Sequence, residues 1–241
     1  MGTNEARDQL KVSTRVLYDE MVRRNVDVDI LDSSSSLLEY TSNNGEKHFL
    51  FSTCSDKSSA TGLIIAGSKV RTAVVARRMN IPTPEQVICR DIREVRKFLA
   101  IHRQIVVKPV LGSGGAGVST NITKIDELER SYHYAKNYSN TVVAQQHIIG
   151  DDVRLLIVGG AFRSAVIRKP AFVVGDGTLS IELLIATANT DMSRNDDSQS
   201  SLMHISPHDA RRYLGEKIFT TPVDGKKVRV GGPATVSLGG S

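Results

Sequence analysis

Two lysines and a glycine-rich hexapeptide are the residues of this chain best suited to handling phosphate. Lys69 follows Ser68 at the start of a helical pattern. Lys108 ends an apolar run, and Gly112-Ser-Gly-Gly-Ala-Gly117 begins four residues after it. Glycines let backbone N–H groups approach an anion closely, and lysine supplies a compact cation. Ser113 and Ser119 add hydroxyl donors. A lysine at a helix N-terminus is electrostatically misplaced unless an anion lies nearby, because the helix dipole is positive there. The plainer reading of the loop is a flexible hairpin tip, but four glycines in six residues exceed what a turn requires.

The letters Gly112–Gly117 also fit G-x-G-x-x-G, and the flanks decide against its familiar uses. A dinucleotide fingerprint needs a helix directly after the loop, where Val118, Thr120 and Ile122 instead alternate like a strand. A Walker loop ends in Gly-Lys-Ser/Thr, and Gly117-Val118-Ser119 does not. The protein-kinase lysine follows its loop, whereas Lys108 precedes it. What remains is a strand, a glycine loop and a second strand.

The elements that must position these residues alternate. The periodicity predicts a helix over Thr14–Arg24, strands at Val26–Leu31, Leu37–Tyr40 and His48–Ser52, and helices at Ser59–Ala66 and Lys69–Met79. Pro82 and Pro84 mark a subdomain boundary. A strand at Val87–Cys89, a helix capped by Asp91 and a strand at Gln104–Lys108 lead into the loop. Thr123 with Asp126 resembles a capping box for a helix through Tyr138, and Thr141–Gln145 reads as a β-branched strand. Arg154–Gly159 and Phe162–Arg168 form a hairpin through Gly159-Gly160. Gly175-Asp176-Gly177 is a turn, Ile181–Ala188 a helix, Asn189–Ser201 a mobile polar loop and Pro207–Leu214 a helix. Ile218–Thr221 and Lys227–Val230 are expected to pair across Asp224-Gly225.

Bulk composition narrows the function classes. The chain has 241 residues and a net charge of +5. Residues 66–117 carry ten Lys/Arg against three acids, so that window is +7 and the rest is −2. Positive charge beside a glycine loop suits a polyphosphate. Nucleic acid is the rival, but aromatics make up only 5% with no Trp, which leaves little to stack on bases. Cys54 and Cys89 stand far apart with no Cys-x-x-Cys, against a disulfide scaffold or zinc site and in keeping with a reducing, cytoplasmic setting. No apolar stretch approaches membrane-spanning length.

In this order the motifs resemble the ATP-grasp superfamily, and within it the modules of cyanophycin synthetases and bifunctional glutathione synthetases. The likeness rests on Val106–Pro109 with the loop, on Ile148–Gly160, on Arg168–Leu184 and on Ala234–Gly240. It implies an α+β (α/β) ATP-grasp fold in which two subdomains grip ATP. Residues 1–66 would be an N-terminal α/β segment and 67–241 the ATP-grasp domain, with 82–140 the first nucleotide-covering subdomain.

The resemblance also assigns roles. Lys69 and Lys108 would clamp the α/β phosphates, with Gly112, Ser113, Gly114, Gly115 and Gly117 covering the triphosphate. Ala144–Ile148 would meet adenine, through Gln145 and Gln146 where the family usually has Glu, and through the backbone of His147 and Ile148. Asp151 or Asp152 would reach the ribose. Arg154 and Arg168 would face the γ-phosphate or an acyl-phosphate, although an isolated strand arginine is also an ordinary surface charge. His147 reads equally as a packed linker residue. Mg²⁺ would be held by an Asp and an E-x-N element after the segment matching Ala234–Gly240. The chain stops at Ser241 and has Thr235 in place of the family's Asn, so those ligands are expected to be missing. Asp151, Asp152 and Asp176 are available carboxylates but match other roles.

The activity implied is ATP-dependent joining of a carboxylate to an amine through an acyl-phosphate, on amino-acid or peptide substrates. The alternative is an incomplete ATP-binding module without ligase activity of its own. Self-association, or a complementing C-terminal part, is a further expectation.

Overall fold

The computed structural model describes residues 3–194 and 202–241, which fall into two compact units, residues 3–67 and residues 68–194 with 202–241. The first unit opens with helices α1 (Thr3–Gln9) and α2 (Val12–Arg23). Next come four antiparallel strands in sequential order, β1 (Val28–Asp32), β2 (Leu37–Thr41), β3 (Lys47–Phe51) and β4 (Cys54–Ser55), and then α3 (Ala60–Ala66). Leu17, Tyr18 and Met21 recur at helical spacing on α2 and pack on Leu38 and Leu50. Alternation along β3 sends His48 and Leu50 inward.

The second unit begins with α4 (Lys69–Arg78), capped by Ser68, whose Oγ accepts from Arg71 N at 3.3 Å. A four-stranded antiparallel sheet follows in the order β5 (Gln86–Cys89), β8 (Val142–Gln146), β6 (Ile105–Pro109), β7 (Ser119–Ile122). Helices α5 (Ile92–His102) and α6 (Ile125–Lys136) contribute Val95, Phe98, Leu99, Leu128 and Tyr132 to its core, against Ile105, Val107, Ile122 and Val142. Asp91 caps α5 as expected, accepting from Arg93 N at 2.8 Å and Glu94 N at 3.3 Å.

Strands β9 (Asp152–Val158) and β10 (Ala161–Arg168) form a hairpin through Gly159-Gly160, both with positive φ. A third core joins β11 (Phe172–Val174), α7 (Ile181–Ala188), α8 (Pro207–Leu214), a 3-10 segment over Gly215–Phe219 and β12 (Lys227–Arg229), with Ile185, Ile205, Ile218 and Val230 at its centre. No described helix is long and apolar enough to cross a membrane.

Three local expectations are corrected. Ile218–Thr221 is not a strand: residues 215–219 form the 3-10 segment that buries Ile218 completely, and β12 pairs with β11 instead. Apolar burial next to a left-handed Gly215 (φ +58°) prevails over the hairpin that Asp224-Gly225 suggests. The Thr123/Asp126 capping box does not form. Lys124 occupies the cap position of α6, and Glu127 Oε2 accepts from Thr123 N at 3.3 Å, one residue further along. The third concerns β7, where Ser119 and Ile122 are the buried pair, because Asn121 (φ +60°) breaks the two-residue alternation. Of the segment Asn189–Ser201, residues 195–201 lie outside those described. Asn189 itself is fixed, its side chain bonding both Ile205 N (2.8 Å) and Ile205 O (2.9 Å).

Candidate nucleotide site

Antiparallel pairing of β6 with β7 makes the glycine loop the tip of a hairpin, as its flanks predict. Gly112, Gly114, Gly115 and Gly117 all have positive φ. Close packing accompanies this conformation: a Cβ on Gly115 would lie 2.9 Å from Thr235 Cγ2, and one on Gly114 would lie 3.1 Å from Ser237 Oγ. The closing motif 234–240 therefore forms one wall of the loop. Ser241, the residue after it, is tied to Lys169, its N–H donating to Lys169 O at 3.0 Å.

The fold brings Lys69 and Lys108 together at the loop's entrance. Lys108 projects from the half-buried face of β6, the face opposite Ile105 and Val107. Its Nζ donates to Gln145 Oε1, a diagonal neighbour because Val106 pairs with Gln145 and Lys108 with Val143. Lys69 Nζ donates to Gly112 O at 2.7 Å. Burial, and secondarily the charge of Lys69, lowers the Lys108 pKa to about 8. Burial lowers Lys69 as well. Among the described residues neither ammonium has a carboxylate partner, so the cradle presents two partly buried cations to whatever anion enters it.

Gln86 is a member of this cluster that sequence reasoning missed. It pairs with Gln145 across β5 and β8, and its Nε2 donates to Lys69 O at 3.3 Å. Only strand pairing, which a single sequence does not display, reveals it.

The adenine-side residues continue β8. Gln146 N donates to Glu85 O at 2.8 Å and His147 N to Gln104 O at 3.1 Å, so the backbone donor of His147 is already engaged. Ile148 follows, 58% exposed. The His147 ring has its pKa lowered by burial and by nearby Arg229.

Asp152 and Arg168 form a separate group at the base of the β9–β10 hairpin, where they are register partners. Arg168 Nε and Nη2 donate to the two Asp152 oxygens at 2.8 and 3.0 Å, a bidentate fork. Arg154 stands exposed on β9, with no side-chain hydrogen bond or ion pair among the described residues, and is not brought into either group. Asp151 is likewise exposed, and the Asp176 carboxylate is occupied by the N–H groups of Thr178 (2.9 Å) and Leu179 (2.8 Å). Among the described residues no group of three or more His, Cys, Asp or Glu side chains could hold a metal ion.

A sequence profile of the family described as "Prokaryotic glutathione synthetase, ATP-grasp domain" matches residues 72–193. The chain belongs to this family. The match contains Lys108, the glycine loop, Asp152 and Arg168, and begins just after Lys69. This ATP-grasp chain is 26% identical over 196 residues to cyanophycin synthetase of Trichormus variabilis, covering 78% of its own length and 22% of the relative. To the glutathione biosynthesis bifunctional protein GshAB of Listeria monocytogenes it is 24% identical over 202 residues, covering 82% of itself and 26% of that protein. The crystal structure of a bifunctional glutathione synthetase from Pasteurella multocida superposes with a TM-score of 0.60 at 22% identity, over 98% of this chain and 33% of that one, and shows the shared fold. The chain thus spans about a fifth to a third of the length of these relatives.

Proposed function

We propose that this chain is the nucleotide-holding part of an ADP-forming carboxylate–amine ligase acting on amino-acid or peptide substrates. The observation that carries the reading is the pair Lys69 and Lys108, two partly buried ammoniums without a carboxylate partner among the described residues, gathered beside the glycine loop. A triphosphate supplies the charge they lack, and the loop's N–H groups can close over it. Gln145 and Gln146, at the end of the neighbouring strand β8, and the chain through Ile148 are the adenine side in this reading, with Asp152 for the ribose.

In the proposed reaction a substrate carboxylate oxygen attacks the γ-phosphorus of ATP and ADP leaves. The amine nitrogen then attacks the acyl carbon, inorganic phosphate departs and the amine gives up a proton. The chain's part is positional and electrostatic: the lysines and loop amides hold the nucleotide, and Arg168, held through Nε and Nη2 by Asp152, offers its remaining N–H groups to the transferring phosphoryl group. Arg154 is assigned to the same end of the reaction. Mg²⁺ would supply charge neutralisation to the phosphates, but the described residues offer no carboxylate cluster that could hold it.

That same lack of clustered carboxylates, together with the engagement of Asp152 by Arg168, favours a second reading: a module that binds nucleotide but completes turnover only with a complementing part. Incubation with Mg-ATP and a panel of amino acids separates the two. Amino-acid-dependent ADP release by the chain alone supports the ligase; nucleotide-induced stabilisation without ADP release supports the module.

A further inference from the structure

A sizeable cavity lies away from the lysine pair. It measures about 850 Å³ and lies beside β7, the edge strand of the four-stranded sheet, between α6 and α8. None of Lys69, Lys108, Gly112–Gly117 or Gln145 lines it.

Its charge is strongly one-sided. Lys124, Arg130, Arg211, Arg212, Lys217 and Arg229 line the walls, against the single carboxylate of Glu127. Glu127 is itself occupied with Thr123 N. Arg211 is paired with Glu182 at 3.0 Å, and Arg229 donates to the carbonyls of Gly231 and Gly232. No side-chain hydrogen bond or ion pair among the described residues engages Lys124, Arg130 or Lys217.

Arg212 carries the second observation. Its guanidinium lies 3.8 Å over the Tyr134 ring, and Nη1 donates to Ser119 Oγ at 3.0 Å. Its Nε is buried without a hydrogen-bond partner; the nearest carboxylate oxygen, on Asp209, is 3.8 Å away. An orphaned buried donor in a cation-lined cavity is costly unless an acceptor joins it. Like charges that outnumber the nearby carboxylates also repel one another.

We propose that this cavity is a second anion site, separate from the nucleotide cradle, which takes a small molecule bearing a chain of phosphates. The planar fork of Arg130, the ammoniums of Lys124 and Lys217 and the remaining donors of Arg211, Arg212 and Arg229 match phosphate oxygens, and a di- or triphosphate concentrates enough negative charge to answer them within this volume. Because Arg212 is tethered to Ser119, the first residue of β7 after the glycine loop, an occupant there touches the strand on which the loop closes.

The test is calorimetric titration of inorganic tripolyphosphate into the full chain at about 0.15 M salt, where exposed charges are screened beyond ~8 Å. Lys108→Ala, in which the nucleotide cradle is disabled, is expected to keep saturable binding, while adding Lys124→Ala/Arg130→Ala to it weakens that binding at least about tenfold, the scale of one lost charged hydrogen bond. Both replaced residues are exposed and unpaired, so the double variant should keep the wild-type melting temperature. Citrate is the second arm and should bind at least about tenfold more weakly than tripolyphosphate. Loss of tripolyphosphate binding in Lys108→Ala, unchanged binding when Lys124→Ala/Arg130→Ala is added to Lys108→Ala, or equal binding of citrate by Lys108→Ala would each overturn the proposal.

Discussion

Lys69 Nζ lies 2.7 Å from the carbonyl oxygen of Gly112, so the first turn of α4 is tied to the entrance of the glycine loop across 43 residues of sequence. A cation at a helix N-terminus gains nothing from its own helix, and a neutral carbonyl compensates only part of its desolvation. A bound polyphosphate would complete the arrangement. Lys69→Met is therefore expected to weaken ATP binding by about 10–100-fold, corresponding to one charged hydrogen bond, while leaving the nucleotide-free melting temperature nearly unchanged. Isothermal titration and a thermal melt of the same preparation check both halves.

Lys108 provides the pH signature. Its folded pKa of about 8 lies below the ordinary lysine value, so between the two values the unfolded chain binds more protons than the folded one. Nucleotide-free stability should accordingly rise as pH climbs from about 8 to about 10.5, and the corresponding contribution is lost as pH falls through 8. Bound nucleotide acts in the opposite sense, because a polyanion favours the ammonium. ATP affinity should fall as pH rises through 8, with proton uptake on binding near that pH. Calorimetry in buffers of different ionisation enthalpy reads the uptake directly, and Lys108→Met should remove it.

Gly115 tests the packing of the loop on the closing motif. With φ at +81° and a Cβ position 2.9 Å from Thr235 Cγ2, Gly115→Ala adds both backbone strain and a clash. A loss of about 1–3 kcal/mol is expected, a fall in melting temperature of roughly 2–10 °C for a chain of this size. Thr235→Ala removes the clashing methyl and should recover part of it.

The pair Asp152–Arg168 is about 40% exposed at each side chain, so its contribution to stability should be under about 1 kcal/mol. Its proposed value is orientation. If turnover is found, Asp152→Ala and Arg168→Ala should each lower kcat, and the double variant should be little worse than Arg168→Ala alone, because the two act as a unit.

The parts legible in the sequence are those set by short-range physics. The caps of Ser68 and Asp91, the apolar face of α5 and the Gly159-Gly160 hairpin all follow from neighbours a few residues apart. The lysine and the loop could be read because Lys108, the glycines and the strand pattern of their flanks all lie within residues 104–122. Pairing between distant segments was not legible. Nothing local says that β12 joins β11 and not Ile218–Thr221, that Gln86 stands opposite Gln145, or that Thr235 and Ser237 pack on Gly114 and Gly115. The Asp152–Arg168 fork was hidden for the same reason, and each residue was assigned a ligand of its own.

The central claim is that Lys108 and the glycine loop hold ATP. The most direct measurement is the ATP-induced rise in melting temperature of wild type, Lys108→Ala and Lys97→Ala at millimolar nucleotide. Lys97 lies exposed on α5, on the same basic stretch but outside the cradle. The expected result is a clear rise for wild type and Lys97→Ala and none for Lys108→Ala. An equal rise in all three, or none in wild type, would contradict the account.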